Sequence, residues 1–190
     1  MSARVKLIIL MAAGLLLGVF LGILIMLPSF LGSSLTNLQS PGGTYLQSGS
    51  AAIGKPALDF TINSLKNDEI HLSNYRGHPL ILNFWASWCA PCKLEMPYIQ
   101  QRYQSLDSQL DVIGVNAGEP TGDIQTFVED YGLTFDIGVD TKGEVQKMYT
   151  VVGLPVTYFI DEEGIIRAEH IGEMSEDQLD GYLVLLGVAN

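Results

Sequence analysis

Cysteine is scarce in this chain: its 190 residues include two, Cys89 and Cys92. That excludes a scaffold held together by several bridges. It also argues against structural zinc, which takes four ligands and usually a second cysteine pair. Histidine is hardly richer. His71, His78 and His170 are scattered without ligand spacing, so no metal is expected. Basic residues number ten against 21 acidic ones. Arg4 and Lys6 stand at the start, leaving eight against 21 from residue 55 onward and a net charge of −13 there. Such a surface repels phosphate backbones and anionic headgroups, which excludes nucleic acid as a partner. Between Lys6 and Lys55 there is no charge of either sign.

That uncharged stretch divides in two. Leu7 to Leu27 gives 21 residues with no charged or strongly polar side chain. As a helix rising ~1.5 Å per residue it would span about 30 Å, the hydrocarbon thickness of a bilayer. It exceeds the ~7–15-residue apolar core of a cleaved signal peptide. No clear small-x-small cleavage site comes closely after it, and no cysteine is there to be lipidated. The sequence therefore predicts an uncleaved transmembrane anchor over residues 7–27. Arg4 and Lys6 ahead of it place residues 1–6 in the cytoplasm. Pro28 ends the helix, and residues 28–54, rich in Ser, Gly, Thr, Asn and Gln, read as a flexible tether. Residues 55–190 would then lie outside the cytoplasm, where a cysteine pair can persist as a disulfide.

Residues 55–190 suit one domain with one core. Ala57–Ile62 and Glu69–Leu72 read as short strands around a polar turn, and Leu72–Gly77 as a helical turn. Pro79–Trp85 is apolar on both faces, as a covered central strand requires. A helix opening at Cys89 is expected to set Leu94, Tyr98 and Ile99 inward against polar Lys93, Gln100, Gln101 and Gln104, with a kink at Pro97. Leu110–Asn116 then forms a strand parallel to the first through a right-handed crossover. Thr121–Tyr131 is an amphipathic helix on Ile124, Phe127 and Val128; Phe135–Val139 is a strand and Gly143–Tyr149 a helix. Val156–Asp161 and Ile165–Ile171 pair around Glu162-Glu163-Gly164, and Ser175 caps a last helix. The fold class is α/β, a mixed sheet covered on both faces.

The chemistry concentrates in Leu80–Pro97: strand, tight corner, then a helix that opens on both cysteines. Cys89 and Cys92 fall on one face of the first helical turn, within reach of each other. The unpaired N–H groups and positive dipole end of that turn stabilise a thiolate. Cys89 is thus expected to titrate below the ~8.5 of a free thiol and to attack, with Cys92 resolving. A structural bridge is a weaker reading, because so short a loop removes little chain entropy. No local signature supplies the histidine of a cysteine hydrolase.

Trp88-Cys89-Ala90-Pro91-Cys92 resembles the active-site motif of thioredoxin-like proteins, and the chain from Lys55 onward resembles the membrane-anchored TlpA/ResA-like thiol–disulfide oxidoreductases of bacteria. The resemblance implies a thioredoxin-like fold with an N-terminal β-hairpin and a central αβ insertion. It places a cis-proline loop, Gly153-Leu154-Pro155-Val156-Thr157, opposite the cysteines. Leu154 and Pro155 there would bind an extended substrate segment through strand-like hydrogen bonds. Glu95, one turn after Cys92, matches the glutamate of the ResA-like branch; turned inward, it would exchange protons with the thiols. Asn83 stands where thioredoxin keeps a buried aspartate. Trp88 is expected to shield the sulfurs and offer contact surface, and Pro91 to restrict the backbone between them. The implied function is reduction of disulfides in partner proteins, apocytochrome c being one client, with recharging by a membrane thiol–disulfide donor and no cofactor. A disulfide-donating oxidase or a copper(I) chaperone would use the same cysteine pair.

Overall fold

The structure is a computed structural model that describes residues 51–188. The expected anchor at 7–27 and most of the tether lie outside the described residues. Among the described residues, no helix is long and apolar enough to cross a membrane.

Among the described residues, seven strands and four helices come in the order β1 (Thr61–Asn63), β2 (Glu69–His71), β3 (Leu80–Trp85), α1 (Ala90–Leu106), β4 (Asp111–Asn116), α2 (Thr121–Tyr131), β5 (Asp136–Val139), α3 (Glu144–Met148), β6 (Val156–Ile160), β7 (Ile166–Ile171) and α4 (Glu176–Leu185). Short 3-10 turns occupy Leu72–Tyr75 and Asp107–Gln109. β1 and β2 form an antiparallel hairpin. The main sheet has the order β5-β4-β3-β6-β7. β3 and β4 are parallel, as are β4 and β5, while β6 and β7 run antiparallel to their neighbours. This is the thioredoxin-like mixed sheet.

β3 is buried at every residue, so its two faces feed two cores. Ile81 and Trp85 join Met96, Ile99, Phe127, Phe159, Leu179 and Leu183 beneath α1, α2 and α4. Leu80, Leu82 and Phe84 join Phe60, Ile70, Val145, Tyr149 and Tyr158 on the other side, covered by the β1–β2 hairpin and short α3. α1 and α4 are tied by Arg102, which donates to Asp180 at 2.6 and 2.8 Å and to Glu176 at 2.8 Å.

Three local expectations need correction. The first strand is only Thr61–Asn63; Ala57, Leu58 and Phe60 are buried outside any strand. The segment before it runs instead along the β6–β7 turn, with Pro56 bridged to Ile165 and Ala57 N–H donating to Gly164 C=O at 2.9 Å. Leu72 does not extend β2 but begins the 3-10 turn. On α1, Leu94 and Tyr98 are exposed, and the inward face is Cys92, Glu95, Met96, Ile99 and Gln100. The buried polar side chains are tolerated because they are partnered. Gln100 exchanges two hydrogen bonds with Thr134, at 2.9 and 2.8 Å. The helix continues through Pro97, whose missing N–H falls on the exposed side.

Candidate active site

β3 delivers the chain to the edge of the core at Trp85, and the corner Ala86–Trp88 turns it into α1. Cys89 is the N-cap: its backbone is extended, and its sulfur accepts the Cys92 N–H at 3.2 Å. An N-cap side chain that takes up an orphan donor of the first turn stabilises the helix. The same N–H stabilises negative charge on that sulfur. Cys89 and Cys92 are joined as a disulfide, with Cα atoms 5.3 Å apart. Pro91 lies in the first turn, where its missing N–H costs nothing. Cys89 is 4% exposed and Cys92 fully buried, whereas Trp88 beside them is 68% exposed. The indole is thus laid out as surface rather than folded away into the core.

One turn further, Glu95 points inward and is fully buried. Its Oε1 accepts from Asn83 Nδ2 at 2.8 Å, and its Oε2 from the Met174 N–H at 3.1 Å. Asn83 Nδ2 also donates to Thr157 Oγ1 at 2.9 Å. Burial pushes the Glu95 carboxyl up to about 7; the Asn83 and Met174 donors pull it down, and repulsion from Glu173 adds to the rise. The side chain therefore holds or releases a proton close to neutral pH, one turn along α1 from Cys92.

The Leu154–Pro155 peptide is cis, as the resemblance implied. Val156 pairs with Phe84 and β3 ends one residue later, so the cis-proline loop and the cysteine corner sit at the same end of adjacent strands. Pro155 is buried, Leu154 is partly buried, and Val152 just before them is fully exposed. Gly172 N–H donates to the Pro155 carbonyl at 2.9 Å, which ties the loop after β7 to this end as well. Trp88, Cys89, Leu154 and Pro155 thus lie at this end of the sheet, Pro91, Cys92 and Glu95 on the first turns of α1, and Asn83 two residues inside β3.

Glu119 was missed. It is 8% exposed and grips the corner before Cys89, accepting from the Ser87 N–H at 2.6 Å and from the Ser87 hydroxyl. Asn116 locks it in place, donating from Nδ2 to Oε2 at 2.6 Å and accepting the Glu119 N–H at 3.1 Å. A signal was there to be read. Glu119 stands three residues past the C-terminal end of β4, and the C-terminal ends of adjacent parallel strands open on one crevice. The contacts of Thr157 with Asn83 and of the Met174 N–H with Glu95 also went unnoticed, because only tertiary packing makes them.

Residues 53–169 match the AhpC/TSA family. The thiol-disulfide oxidoreductase ResA of Geobacillus kaustophilus is 39% identical over 133 residues, 70% of this chain and 76% of that protein. Among solved structures, StoA from Bacillus subtilis is 32% identical with a TM-score of 0.58, covering 68% of this chain and 98% of its own. A secreted Mycobacterium tuberculosis disulfide oxidoreductase homologous to E. coli DsbE is 27% identical with a TM-score of 0.62, covering 67% of this chain and 96% of its own.

Proposed function

The chain belongs to the thioredoxin-like AhpC/TSA family and is a thiol–disulfide oxidoreductase, and from that premise we propose that it reduces disulfides in partner proteins outside the cytoplasm. The observation that carries the reading is the Cys89–Cys92 disulfide on the first turn of α1, with the Cys92 N–H on the Cys89 sulfur. In the reduced protein the Cys89 thiolate attacks a substrate disulfide and expels one substrate thiolate. The Cys92 thiolate then attacks Cys89 Sγ, expels the second, and leaves the protein as the disulfide. The proton that the Cys92 thiol gives up goes to one departing sulfur and a solvent proton to the other, and Glu95 is the group placed to relay the first. The backbone of Leu154, ahead of cis Pro155, is the edge on which an extended substrate segment pairs.

Residues 7–27 anchor the protein in the cell membrane with residues 1–6 in the cytoplasm. The charge pattern of Arg4 and Lys6 supports this, and a secreted mycobacterial relative agrees with a catalytic domain outside. A membrane thiol–disulfide donor then returns the electrons. Disulfide-bonded apocytochrome c is the client class that the ResA likeness favours. Peroxide reduction fits less well, because that chemistry needs an arginine at the sulfur. Arg102 lies about 20 Å along α1 from Cys89 and is bound by Asp180 and Glu176. Arg76 and Arg167 flank Gly164 and Asp161, at the opposite end of β3 and β6.

Three measurements test this. Cys92→Ser in the full-length protein should accumulate a mixed disulfide through Cys89 with its client, and Cys89→Ser should not. A redox titration monitored by tryptophan fluorescence should give a potential near about −270 mV; a value near about −120 mV would mark a disulfide donor instead. Modification of the reduced cysteines by a membrane-impermeant thiol reagent in intact cells tests the location.

A further inference from the structure

The peptide group between Glu173 and Met174 is held at both ends. Its N–H donates to Glu95 Oε2 at 3.1 Å, and its carbonyl lies 3.0 Å from His170 Nε2. A carbonyl can only accept, so Nε2 must carry the proton. Nδ1 of the same ring sits 3.1 Å from the Tyr182 hydroxyl, which donates to it when the ring is neutral. Tyr182 is itself fixed by stacking on Phe159, with centroids 4.2 Å apart. In β7, His170 is directly opposite Thr157 of β6, so both side chains share the sheet face that carries Asn83 and lies beneath Glu95. The line runs unbroken from Tyr182 through His170 and one peptide plane to the Glu95 carboxylate.

We propose that His170 is a positioning residue for Glu95, acting through the Glu173–Met174 peptide. Nε2–H fixes the peptide's orientation and polarises it, so that its N–H meets Oε2 as a stronger donor. A stronger donor favours the ionised carboxylate. The groups facing Glu95 are few. β3 supplies neutral Asn83 and β6 contributes Thr157 through it; α1 itself carries Cys92, and the loop supplies the Met174 N–H and the repelling Glu173 carboxylate. Glu173 acts on Glu95 directly by its charge, whereas His170 works on it through the loop's peptide group. The inference rests on the reading of Glu95 as the proton-exchanging group.

The test tracks the Glu95 side-chain carboxyl carbon by NMR from pH 5 to 9 in the full-length, oxidised protein, in which neither cysteine titrates. Glu95→Gln identifies the resonance. With His170→Ala the inflection should move up by about half a pH unit, roughly a threefold change in the ionised-to-protonated ratio. His170→Gln, which restores an N–H donor toward the Glu173 carbonyl, should return it. An inflection unmoved in folded His170→Ala overturns the proposal. Should that variant not fold, Tyr182→Phe keeps the ring stack and removes only the hydroxyl that orients Nδ1. A smaller upward shift supports the proposal, and none overturns it. If the wild-type resonance titrates in the ordinary carboxylate range, the reading of Glu95 fails. If it titrates near 7 and ignores His170, that reading stands and this one falls.

Discussion

The Asn83 amide and the Glu95 carboxylate meet at 2.8 Å beneath the cysteine-bearing turn, and neither side chain is exposed to solvent. Asn83 spends both N–H bonds, one on Glu95 and one on Thr157, which leaves its Oδ1 without a partner. That arrangement serves the ionised carboxylate. With its amide turned over, the same residue offers Oδ1 to a protonated Glu95. A neutral amide at this point can satisfy either protonation state of its neighbour, which a second carboxylate could not.

Glu95→Gln therefore should fold normally and slow disulfide exchange, on the order of 10²-fold if proton relay is its task. Stopped-flow exchange against a disulfide peptide across pH 5–9 checks it, and wild-type rates throughout would sink the role. The stability consequence has a definite sign. A carboxyl raised from 4.5 to about 7 on folding binds its proton more tightly in the native state. Its contribution is full below about pH 4.5 and is lost as pH rises through 7, on the order of 3 kcal/mol at most. Urea unfolding at pH 5 and 8 should show this slope in the wild type and a shallower one in Glu95→Gln.

Asn83→Asp tests the neutral amide directly. Two carboxylates at hydrogen-bond distance cannot both ionise, so the pair should retain a proton well above the usual carboxylate range. Both members raised on folding means stability held at low pH and lost as pH rises. The variant should match the wild type near pH 5 and fall below it by several kcal/mol near pH 8. Equal stability at the two pH values would show that Glu95 and Asn83 are not coupled as the geometry requires.

Much of this site is legible in the sequence, for a physical reason. The cysteines, Pro91 and Glu95 belong to one stretch of helix, so their relation comes from helix geometry alone. The buried strand Leu80–Trp85 announces itself by its nearly unbroken apolar run. The inward face of α1 is misleading, because Leu94 and Tyr98 look like core residues and Gln100 does not. Burial there is decided by partners on other elements, Thr134 for Gln100 and Met174 for Glu95. Glu119 meets Ser87 from 32 residues away, Thr157 meets Asn83 from 74, and the loop that His170 holds meets Glu95 from 79; only the place of Glu119 just past β4 hints at such a contact in the sequence.

Glu119→Ala should show what the corner needs. It leaves the Ser87 and Asn116 donors unpaired, at roughly 1–3 kcal/mol for each buried group without a partner. The loop carrying Trp88 and Cys89 would also lose its anchor, and misplacement of a reacting group by about 1 Å can cost about 10²-fold. Exchange in the folded variant is expected to drop roughly tenfold or more, within that range. Normal exchange together with the stability loss would assign Glu119 to structure alone.

Gly114→Ala supplies the matching control. A Cβ at position 114 in β4 would lie 2.9 Å from Trp85 Nε1, 3.1 Å from Phe135 and 3.2 Å from Ile137. Trp85 cannot retreat, because its ring packs on Phe127 with centroids 4.6 Å apart and its residue is fully buried. Overpacking of this kind costs about 1–3 kcal/mol, about what one of the donors orphaned by Glu119→Ala costs. Position 114 pairs with Asn83 across β3 and β4, but the atoms its Cβ would press on belong to Trp85, Phe135 and Ile137 rather than to the Ser87 corner or Glu95, so the folded variant should exchange disulfides at the wild-type rate. If both variants lose stability and only Glu119→Ala loses exchange, corner placement and global stability are separate quantities. If Gly114→Ala also loses exchange, the sheet beneath the site transmits strain to the sulfurs and the special role of Glu119 falls away.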